Sequence, residues 1–157
     1  MSHGTTYAVT APGIASATFS KDPVDGGLTA LIDDLTFAAC LELIEVSIDI
    51  KPGSNPNSIN PRSNGSIPVA ILSTADFDAP AAVDRTSLTF GRTGDEASLA
   101  FCGTTLKDVN ADSRLDLVCH FTTSVTGFQV GDTEGILKGE TGGGTAIEGR
   151  DAVRVIR

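Results

Sequence analysis

The chain has no tryptophan, one tyrosine, and only 5% aromatic residues in 157. A core built from it must therefore rest on Val, Ile, Leu and Ala, and a sugar-binding platform of Trp and Tyr is almost excluded by composition. Positive charge is also scarce. Eleven Lys and Arg stand against twenty Asp and Glu, a formal charge of −9, which disfavours a phosphate backbone or an anionic bilayer, since both require basic residues to displace counterions or approach the surface. Nucleic acid is not expected as a partner. No apolar run reaches the roughly 18 residues of a spanning helix, so no membrane insertion is expected. Histidine is limited to His3 and His120. Neither belongs to a zinc-spaced pair, and no G-x-S-x-G nucleophile turn occurs. The acid pairs Asp95-Glu96 and Asp132 with Glu134 have the composition of a glycosidase dyad, but such pairs on strand surfaces are more often solvated or metal-linked. The chain is expected not to be an enzyme.

The stretch richest in chemistry is Asp108-Val109-Asn110-Ala111-Asp112-Ser113-Arg114-Leu115-Asp116, with the apolar run Leu117 to Phe121 directly after it. Side-chain oxygens fall at the first, third, fifth and ninth positions, and Arg114 at the seventh can offer its backbone carbonyl. Calcium takes about six to eight oxygen ligands, and alternating side chains on a tight loop converge to supply them. The expected ligands are Asp108, Asn110, Asp112, Arg114 and Asp116. Two departures from the helix-loop-helix form stand out: Ser113 occupies the glycine position, and Cys119 stands where a bidentate Glu would close the shell. The plainer alternative is an Asx-rich turn held by its own side-chain-to-backbone bonds.

Three cysteines are an odd number, so one is left over if two pair. Cys102 and Cys119 flank the acidic loop at nearly equal distance, and a hairpin turning about that loop sets them opposite each other. They read either as a disulfide, suited to an oxidising compartment, or as two small buried hydrophobes. Cys40 lies outside the pair.

Secondary structure reads as strands throughout. The first part shows Tyr7 to Val9, Ser16 to Phe19 and Leu28 to Phe37, divided by Pro- and Gly-bearing loops. The pattern relaxes between Phe37 and Leu43, which marks a boundary between residues 1–40 and 41–157. From there Ile44, Val46, Ile48 and Ile50 alternate with polar residues, the period of a half-buried strand. Further strands are expected at Ser66–Ser73, Thr86–Phe90, Ser98–Cys102, Leu115–Thr122, Gly135–Gly139 and Ala152–Ile156. Pro68 predicts an edge position or a bulge for its strand. A single helical turn fits Thr74 to Asp84. Gly139 to Gly144 resembles a phosphate loop, but no Lys-Ser/Thr or helix follows it, so it reads as a hairpin turn. Asn64-Gly65 suits a tight turn, and with Ser66 forms a glycosylation sequon. About seven short strands with frequent turns predict an all-β, two-sheet antiparallel sandwich, Ig-like, with extra N-terminal strands.

Ile48-Asp49-Ile50-Lys51-Pro52-Gly53-Ser54, Pro56 to Asn60, Ile67-Pro68-Val69-Ala70-Ile71-Leu72-Ser73-Thr74, Asp76-Phe77-Asp78, Gly139-Glu140-Thr141 and Ile147-Glu148-Gly149 together resemble a β-sandwich module of large secreted bacterial and archaeal surface proteins. The resemblance covers about residues 46–157 and brings no established biochemical activity with it. The acidic loop is similar to dockerin-like and propeller-type calcium loops, which implies Asp108, Asn110, Asp112 and Asp116 as side-chain ligands. Members commonly carry Gly where this chain has Ser113. Ala30 to Phe37 resembles the closing strand of a jelly-roll module, which makes residues 1–40 the tail of another domain or a donor-strand arm. The resulting expectation is an extracellular or cell-surface calcium-binding module with a structural, adhesive or filament-assembly role. Its partners are either copies of itself joined at strand edges or polysaccharide, the latter as a carbohydrate-binding module.

Overall fold

The computed structural model describes residues 42–157 and, in the first part of the chain, the backbone of two strands, β1 (Thr6–Val9) and β2 (Ala17–Ser20). The chain divides into two compact units, Met1–Leu41 and Glu42–Arg157. In the first unit β1 and β2 pair antiparallel, Thr6 opposite Ser20. The expected strand at Leu28–Phe37, its jelly-roll likeness and Cys40 lie outside the described residues.

The second unit is built from strands. They are β3 (Leu43–Glu45), β4 (Ile48–Ile50), β5 (Ser58–Ile59), β6 (Ser66–Ile71), β7 (Val83–Gly91), β8 (Leu99–Cys102), β9 (Leu117–Thr122), β10 (Glu134–Thr141), β11 (Ala146–Ala152) and β12 (Arg154–Val155). A single helical turn, α1 (Ala79–Ala82), and a 3-10 turn at Thr123–Val125 are the helical segments among the described residues. No helix there is long and apolar enough to cross a membrane. Two four-stranded sheets pack together, in the orders β3-β11-β10-β7 and β4-β6-β9-β8, and β5 pairs with β12.

The core forms because the period-two pattern points one apolar row from each sheet inward. Ile67, Val69 and Ile71 of β6 and Leu117, Cys119 and Phe121 of β9 are buried, as are Leu88, Phe90, Leu137 and Ile147 from the opposite sheet. Phe90 and Phe121 meet across the interface with ring centroids 5.0 Å apart, and Phe128 packs edge-on to Phe90 at 5.8 Å. Seven phenylalanines thus do more for this core than their number implies, since three of them sit together at its centre.

The run from Ile44 to Ile50 is not one strand. Val46 N–H donates to Glu148 of β11, in one sheet, while the Ser47 carbonyl accepts from Leu72, just beyond β6 in the other. The chain changes sheets between these two residues. Both sheets face the same core, so the inward alternation continues unbroken: Ile44 is half-buried, and Val46, Ile48 and Ile50 are buried. Gly149 of β11 lies under this crossing. A Cβ there would stand 2.6 Å from Ile48 Cγ2 and 2.8 Å from the Val46 carbonyl oxygen. Because the second obstacle is backbone, Gly149→Ala is expected to destabilise the unit by about 2 kcal/mol, within the usual range for overpacking. Urea unfolding checks this, and an unchanged midpoint would mean that the crossing can shift freely.

The structure departs from the sequence pattern in four places. The sandwich is not wholly antiparallel, because β3 runs parallel to β11, and β5 to β12. The described unit has more strands than the seven expected, chiefly because Ile44–Ile50 divides and short β5 and β12 form. The last long strand is Ala146–Ala152 rather than Ala152–Ile156. Pro68 lies in β6, which is an inner strand between β4 and β9. It is tolerated because its carbonyl accepts Lys51 N–H, so its missing donor faces the same side of the strand, just past the last residue of β4. No ladder bond is lost.

Candidate functional site

Strands β8 and β9 form a hairpin whose connection carries the acidic loop. The structure bonds Cys102 to Cys119, which are register partners at its base. A second rung follows: Asp116 N–H donates to the Lys107 carbonyl at 2.7 Å in an isolated antiparallel bridge. Residues Asp108 to Leu115 therefore project as a narrow tip.

Within the tip the polar side chains turn back onto the loop. Asp108 Oδ1 and Asn110 Oδ1 both accept the N–H of Asp112, at 3.1 and 3.2 Å, and Asp108 Oδ2 accepts Ser113 N–H at 2.8 Å. Asp112 Oδ1 accepts Arg114 N–H at 2.9 Å, and the Arg114 guanidinium lies 3.5 Å from Oδ2. The Arg114 N–H, more than any other neighbour, holds the Asp112 carboxyl below its ordinary range and so keeps it ionised. Ala111 and Ser113 take φ of +63° and +70°, the left-handed region that glycine enters most easily. Ser113 thus adopts the backbone that a glycine would serve in a sharp calcium-type loop.

Asp116 differs from the others. It is fully buried, and its two oxygens are engaged separately: Oδ1 accepts Ser73 N–H at 2.8 Å and Oδ2 accepts Val109 N–H at 2.7 Å. Ser73 extends the junction. Its hydroxyl donates to the Leu115 carbonyl at 2.8 Å and accepts Ala79 N–H at 3.0 Å. One buried Asp–Ser pair thereby joins the loop, the end of β6 and the start of α1. Ser73 was not legible as a site residue, since a serine ending an apolar strand carries no sequence signal.

Among the described residues, no group of three or more His, Cys, Asp or Glu gathers to hold a metal. The donor set is nonetheless the hard-oxygen kind that calcium takes, and three of its members share the loop's inner N–H groups. Each carboxylate oxygen here accepts at most one hydrogen bond, whereas a carboxylate has about four lone-pair positions, so acceptor capacity remains at Asp112 and Asp116. The residues fit a loop-bound cation in chemistry and backbone path, but their carboxylates do not converge.

Two clefts flank the hairpin. One of about 720 Å³ lies between Arg114 and Leu115 of the tip and the Thr74–Ala81 segment, with Asp76, Asp78 and Arg85 in its wall. The other, of about 600 Å³, lies on the open face of the β6-β9-β8 sheet. His120 lines the second, stacked on Phe101. Asp95 and Glu96 are occupied structurally: Asp95 pairs with Lys138 at 2.8 Å, and Glu96 accepts the N–H groups of Thr93 and Gly94. Asp132 pairs with Arg92, and Glu134 with Arg150.

No protein-family model, curated protein or solved structure matches the chain.

Proposed function

We propose that residues 42–157 form a non-catalytic, Ig-like β-sandwich module of an extracellular or cell-surface protein, stiffened by calcium at the Asp108–Asp116 loop. The observation that carries this reading is the backbone of the tip. Ala111 and Ser113 are held at positive φ while Asp108 and Asn110 turn inward on the Asp112 N–H and Asp112 accepts that of Arg114. An ordinary turn has no need of two non-glycine residues in that region. Calcium would be held by Asp108, Asn110, Asp112, the Arg114 carbonyl and Asp116, with water completing the shell. It would supply charge neutralisation and rigidity rather than chemistry.

The disulfide across the hairpin agrees with an oxidising compartment. A stiff sandwich with a braced hairpin suits a spacer, adhesive or assembly unit. Copies of the chain could join at the edges offered by β3, β4, β7 and β8, where unpaired backbone groups accept a further strand.

The deciding experiment is thermal unfolding in EDTA and in millimolar calcium. A cation at one hundred times its dissociation constant adds about 2.7 kcal/mol to folded stability, so the midpoint should rise by several degrees. Asp108→Ala and Asp112→Ala should each remove that rise while leaving the EDTA midpoint nearly unchanged, since both residues are exposed. Identical wild-type midpoints in the two buffers would sink the calcium reading and leave a braced turn.

A further inference from the structure

We propose that Asp49, Asp151 and the side-chain oxygen of Asn57 form a second calcium site, separate from the acidic loop, where β4, β11 and the segment leading into β5 meet. The amide of Asn57 is the first observation. Its Nδ2 donates to Asp151 Oδ2 at 3.0 Å and to the Ala152 carbonyl at 2.9 Å. These two acceptors fix which way the amide faces, since the flipped group would set its oxygen against a carboxylate and a carbonyl. Oδ1 is thereby left beside the Asp151 carboxylate, buried and without a hydrogen-bond partner, the one such side-chain atom among the described residues. Leaving a buried acceptor unpaired is costly, and native structures supply such atoms with an ordered water or an ion.

The charges beside that oxygen decide between water and an ion. A cleft of about 380 Å³ is lined there by Asp49, Asn57 and Asp151, with Ser54 at its rim, and the two carboxylates are the charged side chains among its described lining residues. Asp151 Oδ2 also accepts Ile50 N–H at 2.8 Å, and Oδ1 accepts Ala152 N–H at 2.7 Å. Asp49 projects from β4 on the side opposite the buried Ile48 and Ile50. Burial, and after it the Asp151 charge, push the Asp49 carboxyl above its ordinary range, and among the described residues no hydrogen bond or basic group offsets them. The basic residues nearest in sequence are turned elsewhere: Lys51 Nζ donates to the Ser58 carbonyl at 2.7 Å, Arg150 pairs with Glu134 and Glu148, and Arg154 is exposed outside the cleft. A water would satisfy the amide but not the repulsion between two half-buried carboxylates; a divalent cation relieves both. Every donor is oxygen, which favours calcium over zinc. Magnesium dehydrates reluctantly, and a buried amide oxygen requires an ion that sheds water. Calcium bound here ties one sheet to the other through β4 and β11.

The test uses the full chain carrying Asp108→Ala and Asp112→Ala, so that the acidic loop contributes nothing and the result stands apart from the loop reading. In the nitrogen-15-labelled protein titrated with calcium chloride, the Asn57 side-chain amide and the Ile50 backbone N–H resonances should shift and saturate within about 10 mM, the weak end of extracellular calcium sites with a margin. Magnesium at the same concentration should move them far less. Adding Asp49→Asn, which keeps the shape and removes one charge, should weaken calcium binding at least about tenfold by calorimetry, the size expected for one charged ligand. In EDTA the same variant should melt at or above the temperature of its parent, because the repulsion is gone; a merely structural aspartate would lower it. Resonances that do not move, shifts that rise without saturating, or unchanged calcium affinity in Asp49→Asn would each overturn the proposal. If Asp49→Asn does not fold, the resonance titration of its parent decides alone.

Discussion

Asp116→Ala is expected to lower the stability of the second unit by about 3 kcal/mol or more, even in calcium-free buffer. Hydrogen bonds to a charged acceptor contribute about 1.5–3 kcal/mol each, and a buried donor left without a partner loses its full desolvation cost. The substitution removes both bonds of Asp116, and the one from Ser73 N–H is buried, out of reach of replacement water. For a unit of this size the melting midpoint should fall by about 10 °C. Asp116→Asn should be little better, because one of its terminal atoms becomes a donor facing a donor N–H. Asp112→Ala is the control: an exposed acceptor of one loop N–H, it should cost well under 1 kcal/mol in EDTA. Equal and small effects of the two substitutions would show that the buried junction contributes nothing beyond the loop.

Loss of the Cys102–Cys119 bond should have the next largest effect. The crosslink spans 17 residues, and closing a loop of that length removes unfolded-state entropy equivalent to about 3 kcal/mol. Reduction should therefore shift the guanidinium midpoint downward, and Cys102→Ala with Cys119→Ala should reproduce the shift. The double variant should be slightly worse than reduction, since Cys119 is fully buried and its sulfur fills core space. An unchanged midpoint in reducing buffer would mean that the ladder between β8 and β9 alone defines the hairpin. Because the bond sits at the base of the acidic loop, its loss should also weaken any calcium-dependent rise.

Much of the architecture was legible residue by residue. The alternations Ile67-Val69-Ile71 and Leu117-Cys119-Phe121 each mark a strand and its inward face, because side chains point to opposite sides with period two. The acidic loop was legible by the spacing of its oxygens, and the helical turn by Pro80 among alanines. β11 was obscure for a physical reason. Its inward positions include Gly149, where the chain crossing between sheets leaves no room for a side chain, so the strand lacks the apolar rhythm that marks the others. Pro68 misled because sequence cannot tell which side of a strand its missing donor will face. Phe101 and His120 gave no joint signal, being 19 positions apart and brought together by register.

Neighbours along the chain are enough to specify the strand-forming segments, the turns, the all-β class and the oxygen-rich loop. Tertiary structure alone decided which strands share a sheet, where Ile44–Ile50 changes sheets, that Asp116 is buried against Ser73, and that Asp49, Asn57 and Asp151 share one cleft. These rest on pairings between residues far apart in the chain. Local pattern cannot encode them, because the same alternation satisfies either sheet and the same aspartate serves equally well as a ligand or as a pin.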